Sequence, residues 1–71
     1  MTYEQIVALL AYAGGNEQPV RITTTDRSEV LGVPTSVDTH VTAHEVFVRP
    51  LGREDAEIAV SLGAIAAVEL L

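Results

Sequence analysis

The fold is decided by residues 20–38, which read VRITTTDRSEVLGVPTSVD. In the first four of these residues apolar and polar side chains alternate, which is the two-residue period of a half-buried strand. The polar break Asp26-Arg27-Ser28 separates this strand from a second one over Glu29 to Val37. Because proline cannot donate to a strand ladder and glycine permits sharp curvature, we expect the second strand to bend or bulge around Gly32 and Pro34. The stretch therefore predicts two antiparallel strands with a strong bend.

A short amphipathic helix is predicted before these strands. Thr2 and Gln5 have the spacing of a capping box, in which the hydroxyl accepts from a first-turn N–H group. Apolar side chains then recur at i, i+3, i+4 and i+7 and form one face of a helix, namely Tyr3, Ile6, Val7 and Leu10. Gly14-Gly15 follow, and a left-handed glycine is a common helix end. We predict a helix over residues 3–13 whose apolar face is covered by the sheet.

Three more strands are predicted after the second one. The segment Val41 to Leu51 is largely apolar, but its alternation is upset around His44, which indicates a bulge there. A polar turn over residues 52–55 precedes a clean alternation in Ala56 to Leu62, and a short break separates it from a last strand, Ile65 to Leu71. The predicted fold class is mainly β, with an N-terminal helix followed by a five-stranded, strongly bent antiparallel small barrel.

The chain is small and acidic. Its 71 residues suffice for one core, so we expect a single domain, with the helix and its end in residues 1–15 and the barrel in residues 20–71. Because the chain has no cysteine, neither disulfides nor thiolate metal sites can stabilise so small a core, and oligomerisation is the remaining common means. Ten acidic side chains against four arginines give a net charge of −6, which opposes binding to phosphate backbones. The longest apolar run, Ile6 to Ala13, is too short to cross a bilayer, so we expect a cytoplasmic protein without a membrane partner.

The spacing from Asp26 to Asp38 resembles the first sequence motif of Sm-like proteins. That motif has an acidic or amide residue with a glycine at a turn, a glycine in the bent second strand, and an aspartate that opens the next loop; Gly32 matches the strand glycine. The turn glycine is Arg27 here, and residues 39–42, THVT, replace the usual Met-Asn after the aspartate. The order of helix and strands also matches, so the resemblance covers nearly the whole chain and implies an Sm/SH3-like barrel.

The same resemblance implies a place for RNA. In Sm-like proteins that bind uridine-rich RNA, an aromatic or histidine side chain at the position of His40 stacks on the base. An asparagine and an arginine complete that pocket, at positions that are Thr42 and Leu62 here. The second family motif, Ile-Arg-Gly, aligns with Ser61-Leu62-Gly63 and keeps only its glycine. The RNA-binding residues that the resemblance implies are His40, Thr42 and Asp38, with one of the three base contacts kept.

Strands four and five are the predicted contact between subunits. In Sm-like rings these two strands of adjacent subunits pair. Here both are apolar and nearly free of charge, and unpaired edges of this type invite association. The expected interface residues are Ala56, Ile58, Ala59, Val60, Leu62, Ile65, Val68 and Leu70. The first functional hypothesis is a non-enzymatic Sm-like module that forms a homo-oligomeric ring and binds single-stranded, uridine-rich RNA weakly or in an altered way.

A weaker resemblance leads to an alternative hypothesis. The first strand and the pattern from Glu57 to Ile65 resemble those of the Rho-binding antiterminator, another small acidic Sm/SH3-like barrel. This resemblance implies a monomeric or dimeric adaptor whose acidic surface binds a basic surface of a protein partner. The mass of the chain in solution separates the two hypotheses.

Catalysis and metal binding are both disfavoured by the sequence. Glu54, Asp55 and Glu57 are best interpreted as a solvated turn and the outer face of a strand, because so small a barrel fills its interior with its own side chains. His40 and His44 have a metal-ligating spacing for a helix, but in a strand they would lie about 13 Å apart, too far to share an ion. We expect no enzymatic activity, no metal and no cofactor.

Overall fold

The computed structural model describes residues 1–71, which form one helix and one five-stranded antiparallel sheet. The elements are α1 Tyr3–Gly15, β1 Val20–Thr24, β2 Glu29–Asp38, β3 Glu45–Pro50, β4 Ile58–Ser61, a 3-10 turn Leu62–Ala64, and β5 Ile65–Leu70. The strand order is β4-β3-β2-β1-β5, so β4 and β5 lie at the two edges of the sheet. The predicted fold class, a helix followed by five antiparallel strands in a bent sheet, is confirmed. The chain has no helix with the length and hydropathy that a membrane crossing requires.

The helix begins as predicted. The hydroxyl of Thr2 accepts from the N–H of Gln5 at 3.2 Å, and the side-chain oxygen of Gln5 accepts from the N–H of Thr2 at 2.8 Å. This reciprocal capping box satisfies two backbone donors at the helix start. The buried face of the helix consists of Ile6, Leu10 and Ala13. Tyr3, which the periodicity placed on this face, remains 41% exposed.

The predicted end of the helix is wrong. The helix continues through Gly14 and Gly15, and neither glycine has a left-handed backbone. The first left-handed residue is Glu17, with a φ of 51°. Gly14 lies where the helix approaches β2, because a Cβ atom at this position would be 3.2 Å from the carbonyl oxygen of Pro34. The small residue at position 14 therefore serves the packing of helix on sheet.

The bend predicted in β2 is present. The register between β2 and β3 shifts between Pro34 and Ser36, which is the irregularity expected of a bulge. Three consecutive residues, Gly32, Val33 and Pro34, are buried, so both faces of the strand are covered at the bend. A Cβ atom at Gly32 would overlap with the carbonyl oxygen of Arg49 on β3. Only glycine therefore allows the two backbones to approach as they do here.

The third and fourth strands are shorter than predicted. β3 begins at Glu45, because residues 41–43 form a turn that ends the apolar run early. His44 has a φ of 48° and lies just before β3, so the predicted bulge within the strand is wrong. β4 is confined to Ile58–Ser61, and Leu62 opens the 3-10 turn. The loop between β2 and β3 is consequently longer than the sequence pattern suggests.

One apolar core lies between the helix and the sheet. Its members without any exposed surface are Leu10, Ala13, Val20, Ile22, Val46 and Val48. The helix packs on β2 and β5, the two strands that flank β1, and so covers this part of the sheet on one side. No polar or charged side chain is buried. The stability of the fold therefore rests on aliphatic packing.

Candidate functional site: two sheet edges and one loop

One free edge of the sheet is β4. This strand pairs with β3 alone, and just after it the N–H of Leu62 donates to the carbonyl oxygen of His44 at 3.0 Å. Because the backbone groups of successive residues point to opposite sides of a strand, those of Ala59 and Ser61 point away from β3. Both residues are exposed. The β4 edge thus presents a short, uncharged row of free donors and acceptors, a surface suited to pairing with another strand.

The other free edge is β5, which pairs with β1 alone. The N–H of Leu71 donates to the carbonyl oxygen of Pro19 at 3.0 Å, so by the same alternation the backbone groups of Val68 and Leu70 point away from β1. The side chain of Val68 lies in the core, whereas Leu70 is 42% exposed. The β5 edge therefore combines backbone groups that no second strand pairs with and an exposed aliphatic side chain.

The predicted interface residues fall into two groups. Four of them have only 2% to 8% of their surface exposed and belong to the core of their own chain: Val60, Leu62, Ile65 and Val68. The other four are exposed or half-buried: Ala56, Ile58, Ala59 and Leu70. Side-chain contacts with a second copy are available only to the second group. Of the first group, Val68 can contribute through its backbone, which points away from β1, whereas the N–H of Leu62 is directed toward His44 of its own chain.

The loop between β2 and β3 carries the residues assigned to RNA binding. The carboxylate of Asp38 accepts from the N–H of His40 at 3.0 Å and contacts the ring nitrogen Nδ1 of His40 at 2.8 Å. These hydrogen bonds, the backbone one first, hold the pKa of Asp38 below its usual range. The His40 side chain is 86% exposed, so its ring is open to a planar ligand. Thr42 lies in the exposed turn that follows.

A second aromatic arrangement in this region was missed by sequence reasoning. The ring of His44 stacks on that of Tyr3, with centroids 5.2 Å apart and planes inclined by 11°. Together with Thr39 and Val41 the two rings line a shallow, open depression. Val41 is 96% exposed at the tip of the loop. Nothing in the spacing of the residues signals this pair, because only the fold brings the start of the helix next to the loop.

The turn between β1 and β2 has the conformation for which the Sm-like motif uses glycine. Arg27 occupies this position with a φ of 70°. The carboxylate of Asp26 accepts from the hydroxyl of Thr24 and from the N–H of Ser28, the latter at 3.0 Å. These hydrogen bonds, that of Thr24 first, lower the pKa of Asp26. Side-chain hydrogen bonds of the turn thus offset the unfavourable backbone of a non-glycine residue.

The positive charge available to a phosphate backbone is smaller than the count of arginines suggests. Arg21 lies between two carboxylates, forming an ion pair with Glu69 and approaching Glu29 at 3.6 Å. The arginines that form no ion pair are Arg27, Arg49 and Arg53. The electrostatic attraction of this chain for nucleic acid is therefore weak.

The helix, the bent second strand and the two free edges together define an Sm-like fold. The resemblance inferred from the motif spacing is confirmed at this level. The chain is similar to the crystal structure of Hfq, a pleiotropic translational regulator, with a TM-score of 0.74 and 17% sequence identity over 100% of this chain and 98% of that chain. At this identity the likeness shows the fold alone. No protein-family model and no curated protein sequence matches the chain.

Proposed function

We propose that this chain is a non-enzymatic Sm-like binding and assembly module, a single domain of residues 1–71, that forms a homo-oligomeric ring and binds single-stranded RNA weakly or in an altered way. The observation that carries the proposal is the pair of free edges: β4 and β5 each lack a partner on one side within the chain. Pairing of β4 from one copy with β5 from the next would satisfy the exposed backbone groups of both strands.

The side chains at the two edges support this pairing. β4 contains no charged residue, and the one charge on β5, Glu69, is engaged by Arg21 of the same chain. Proteins commonly protect exposed edges with charged residues or proline, and neither β4 nor β5 carries such a free charge or a proline. Ile58 and Leu70, which are 40% and 42% exposed, would gain cover from a neighbouring subunit.

Replacing Ala59 with lysine is expected to dissociate the assembly into monomers. The substitution puts a flexible charge at the middle of the β4 edge and repeats it in every interface of the ring. Sedimentation velocity of the wild type and the variant measures the effect, and Ala11→Lys, a charge on an exposed alanine of the helix, is the matched control. A monomeric wild type, or an Ala59→Lys chain with the wild-type profile, contradicts the ring.

The proposed RNA binding rests on the exposed ring of His40. Stacking of a base on an aromatic ring stabilises binding by about 1 to 3 kcal/mol per base, and a ring would repeat the site in each subunit. RNA binding is opposed by the net charge of −6 and by the ion pairing of Arg21 with carboxylates of its own chain. The balance favours weak binding that depends on avidity.

Binding of oligo-uridine is expected to be no tighter than micromolar at physiological salt, and His40→Ala should abolish it. His44→Ala is the matched control, because His44 is already stacked on Tyr3 within the chain. Fluorescence anisotropy with labelled oligo-uridine measures both variants. Nanomolar affinity, or binding that survives His40→Ala, would place the RNA surface elsewhere.

The alternative function is an acidic adaptor that binds a basic surface of a protein partner. The observation that favours it is the placement of all ten acidic side chains outside the core. A monomeric wild type that binds a poly-arginine peptide with strong salt dependence would favour the adaptor over the ring. The mass of the unliganded chain in solution is therefore the first measurement to make.

The non-enzymatic character of the module is supported by the surroundings of its titratable groups. Every acidic, histidine and tyrosine side chain is exposed or half-buried, whereas acid–base catalysis usually relies on groups that are desolvated in a cleft. A cytoplasmic location, without a cofactor or a membrane partner, belongs to the same proposal.

A further inference from the structure

The free edge of β5 is covered at one point by the first residue of the chain. The N–H of Val68, which points away from β1, donates to the sulfur of Met1 at 3.2 Å. Met1 is 54% exposed, so its side chain lies on the surface beside the strand and outside the core. It occupies a backbone donor on the edge that a second copy would use.

The position of Met1 follows from the start of the helix. The capping box of Thr2 and Gln5 fixes the backbone immediately after Met1. The Met1 side chain also lines a shallow apolar groove with Leu9 and Tyr12 on the outer face of the helix. The start of the helix therefore places Met1 beside β5.

We propose that Met1 is an intramolecular cover of the β5 edge, which β4 of a second copy of this chain displaces when two subunits pair. The inference rests on the proposed assembly through β4 and β5. A thioether sulfur is a weak hydrogen-bond acceptor, whereas a backbone carbonyl oxygen is a strong one. The cover thus satisfies the Val68 donor in the free chain and yields to the stronger acceptor of an incoming strand.

Association through the covered edge is weaker than it would be through a bare one, because the Met1 contact must break first. Met1→Ala, produced from an N-terminal fusion cleaved directly before residue 1, is expected to tighten association by about two- to tenfold, the range spanned by one intramolecular hydrogen bond. Sedimentation equilibrium over a dilution series measures the dissociation constant. An unchanged or weaker association overturns the inference, since Met1 would then be a bystander or a part of the interface.

Amide hydrogen exchange tests the contact between Met1 and Val68 independently of assembly. In the Ala59→Lys background, which blocks β4, the Val68 amide should exchange about two- to tenfold faster in Met1→Ala and in Met1→Leu than with Met1 present. Met1→Leu keeps a similar apolar side chain without the acceptor, and the Glu69 amide, which points toward β1, is the internal reference. If the Val68 amide exchanges at the same rate with Met, Ala or Leu at position 1, Met1 does not cover the β5 edge, even if the wild type forms rings.

The displacement step has its own readout, because Met1 is the only methionine of the chain. An isotope-labelled methyl group on Met1 gives one signal in a magnetic resonance spectrum, and this signal should shift over the concentration range in which subunits associate. A signal that stays constant while the chain associates overturns the displacement. A wild type that never associates removes the assembly proposal and the displacement with it, while faster Val68 exchange in the variants would still establish the cover.

Discussion

Replacing Leu10 with alanine is expected to lower the free energy of unfolding by about 2 to 5 kcal/mol. Leu10 has no exposed surface and lies on the helix face that packs on β2 and β5. The substitution removes buried aliphatic groups and leaves a cavity that the surrounding strands fill only in part. Urea unfolding followed by circular dichroism measures the loss.

Two comparisons on the same helix test whether the loss of stability in Leu10→Ala comes from the packing of the helix on the sheet. Leu9→Ala changes the same residue type at a half-buried neighbouring position and should cost less. Thr2→Ala removes the capping hydroxyl and should cost about 1 kcal/mol. Equal and small effects of all three substitutions would mean that the helix is not docked on the sheet as described.

The second large effect is expected at Gly32, where alanine should destabilise the fold by about 2 to 4 kcal/mol. The added Cβ would overlap with the carbonyl oxygen of Arg49 and would lie 2.8 Å from the Cγ1 atom of Val48. Relief requires the backbones of β2 and β3 to separate, which breaks the ladder at the bend. Thermal unfolding of the variant measures the change.

Gly15→Ala is the matched control for Gly32→Ala. A Cβ atom at Gly15 meets nothing within 4 Å, and the residue lies in the last turn of the helix. Alanine there should be neutral or stabilise the protein by up to about 1 kcal/mol, because it favours the helix more than glycine does. Similar losses at both positions would show that the effect at Gly32 is not a clash between strands.

Local patterns were enough to predict most of the fold. The capping box at Thr2 and the alternation in β1 depend on residues that are close in the sequence. The spacing from Asp26 to Asp38 likewise indicates a turn and a bent strand within one short stretch. The prediction that Gly14 ends the helix is wrong because the requirement for glycine there is not local. A glycine pair looks like a helix end in sequence, but the requirement at Gly14 comes from Pro34 on another element.

The candidate site was predictable only in its local part. Asp38 and His40 are two residues apart, so their contact follows from one turn. The stack of Tyr3 on His44 depends on how the helix meets the sheet, which no spacing in the sequence encodes. The pattern of β5 marked Val68 as apolar, but an apolar residue can serve the core or an interface, and the pattern does not say which.

The strand order places two different surfaces at the ends of one sheet, so copies that paired through them, as proposed, would join head to tail. A row of copies joined through these surfaces has an unused β4 at one end and an unused β5 at the other, whatever its length. Growth is self-limiting only if those two ends meet. In the proposed assembly, the angle between the two edges, to which the bend at Gly32 and Pro34 contributes, would therefore decide between a closed particle of fixed size and an open filament.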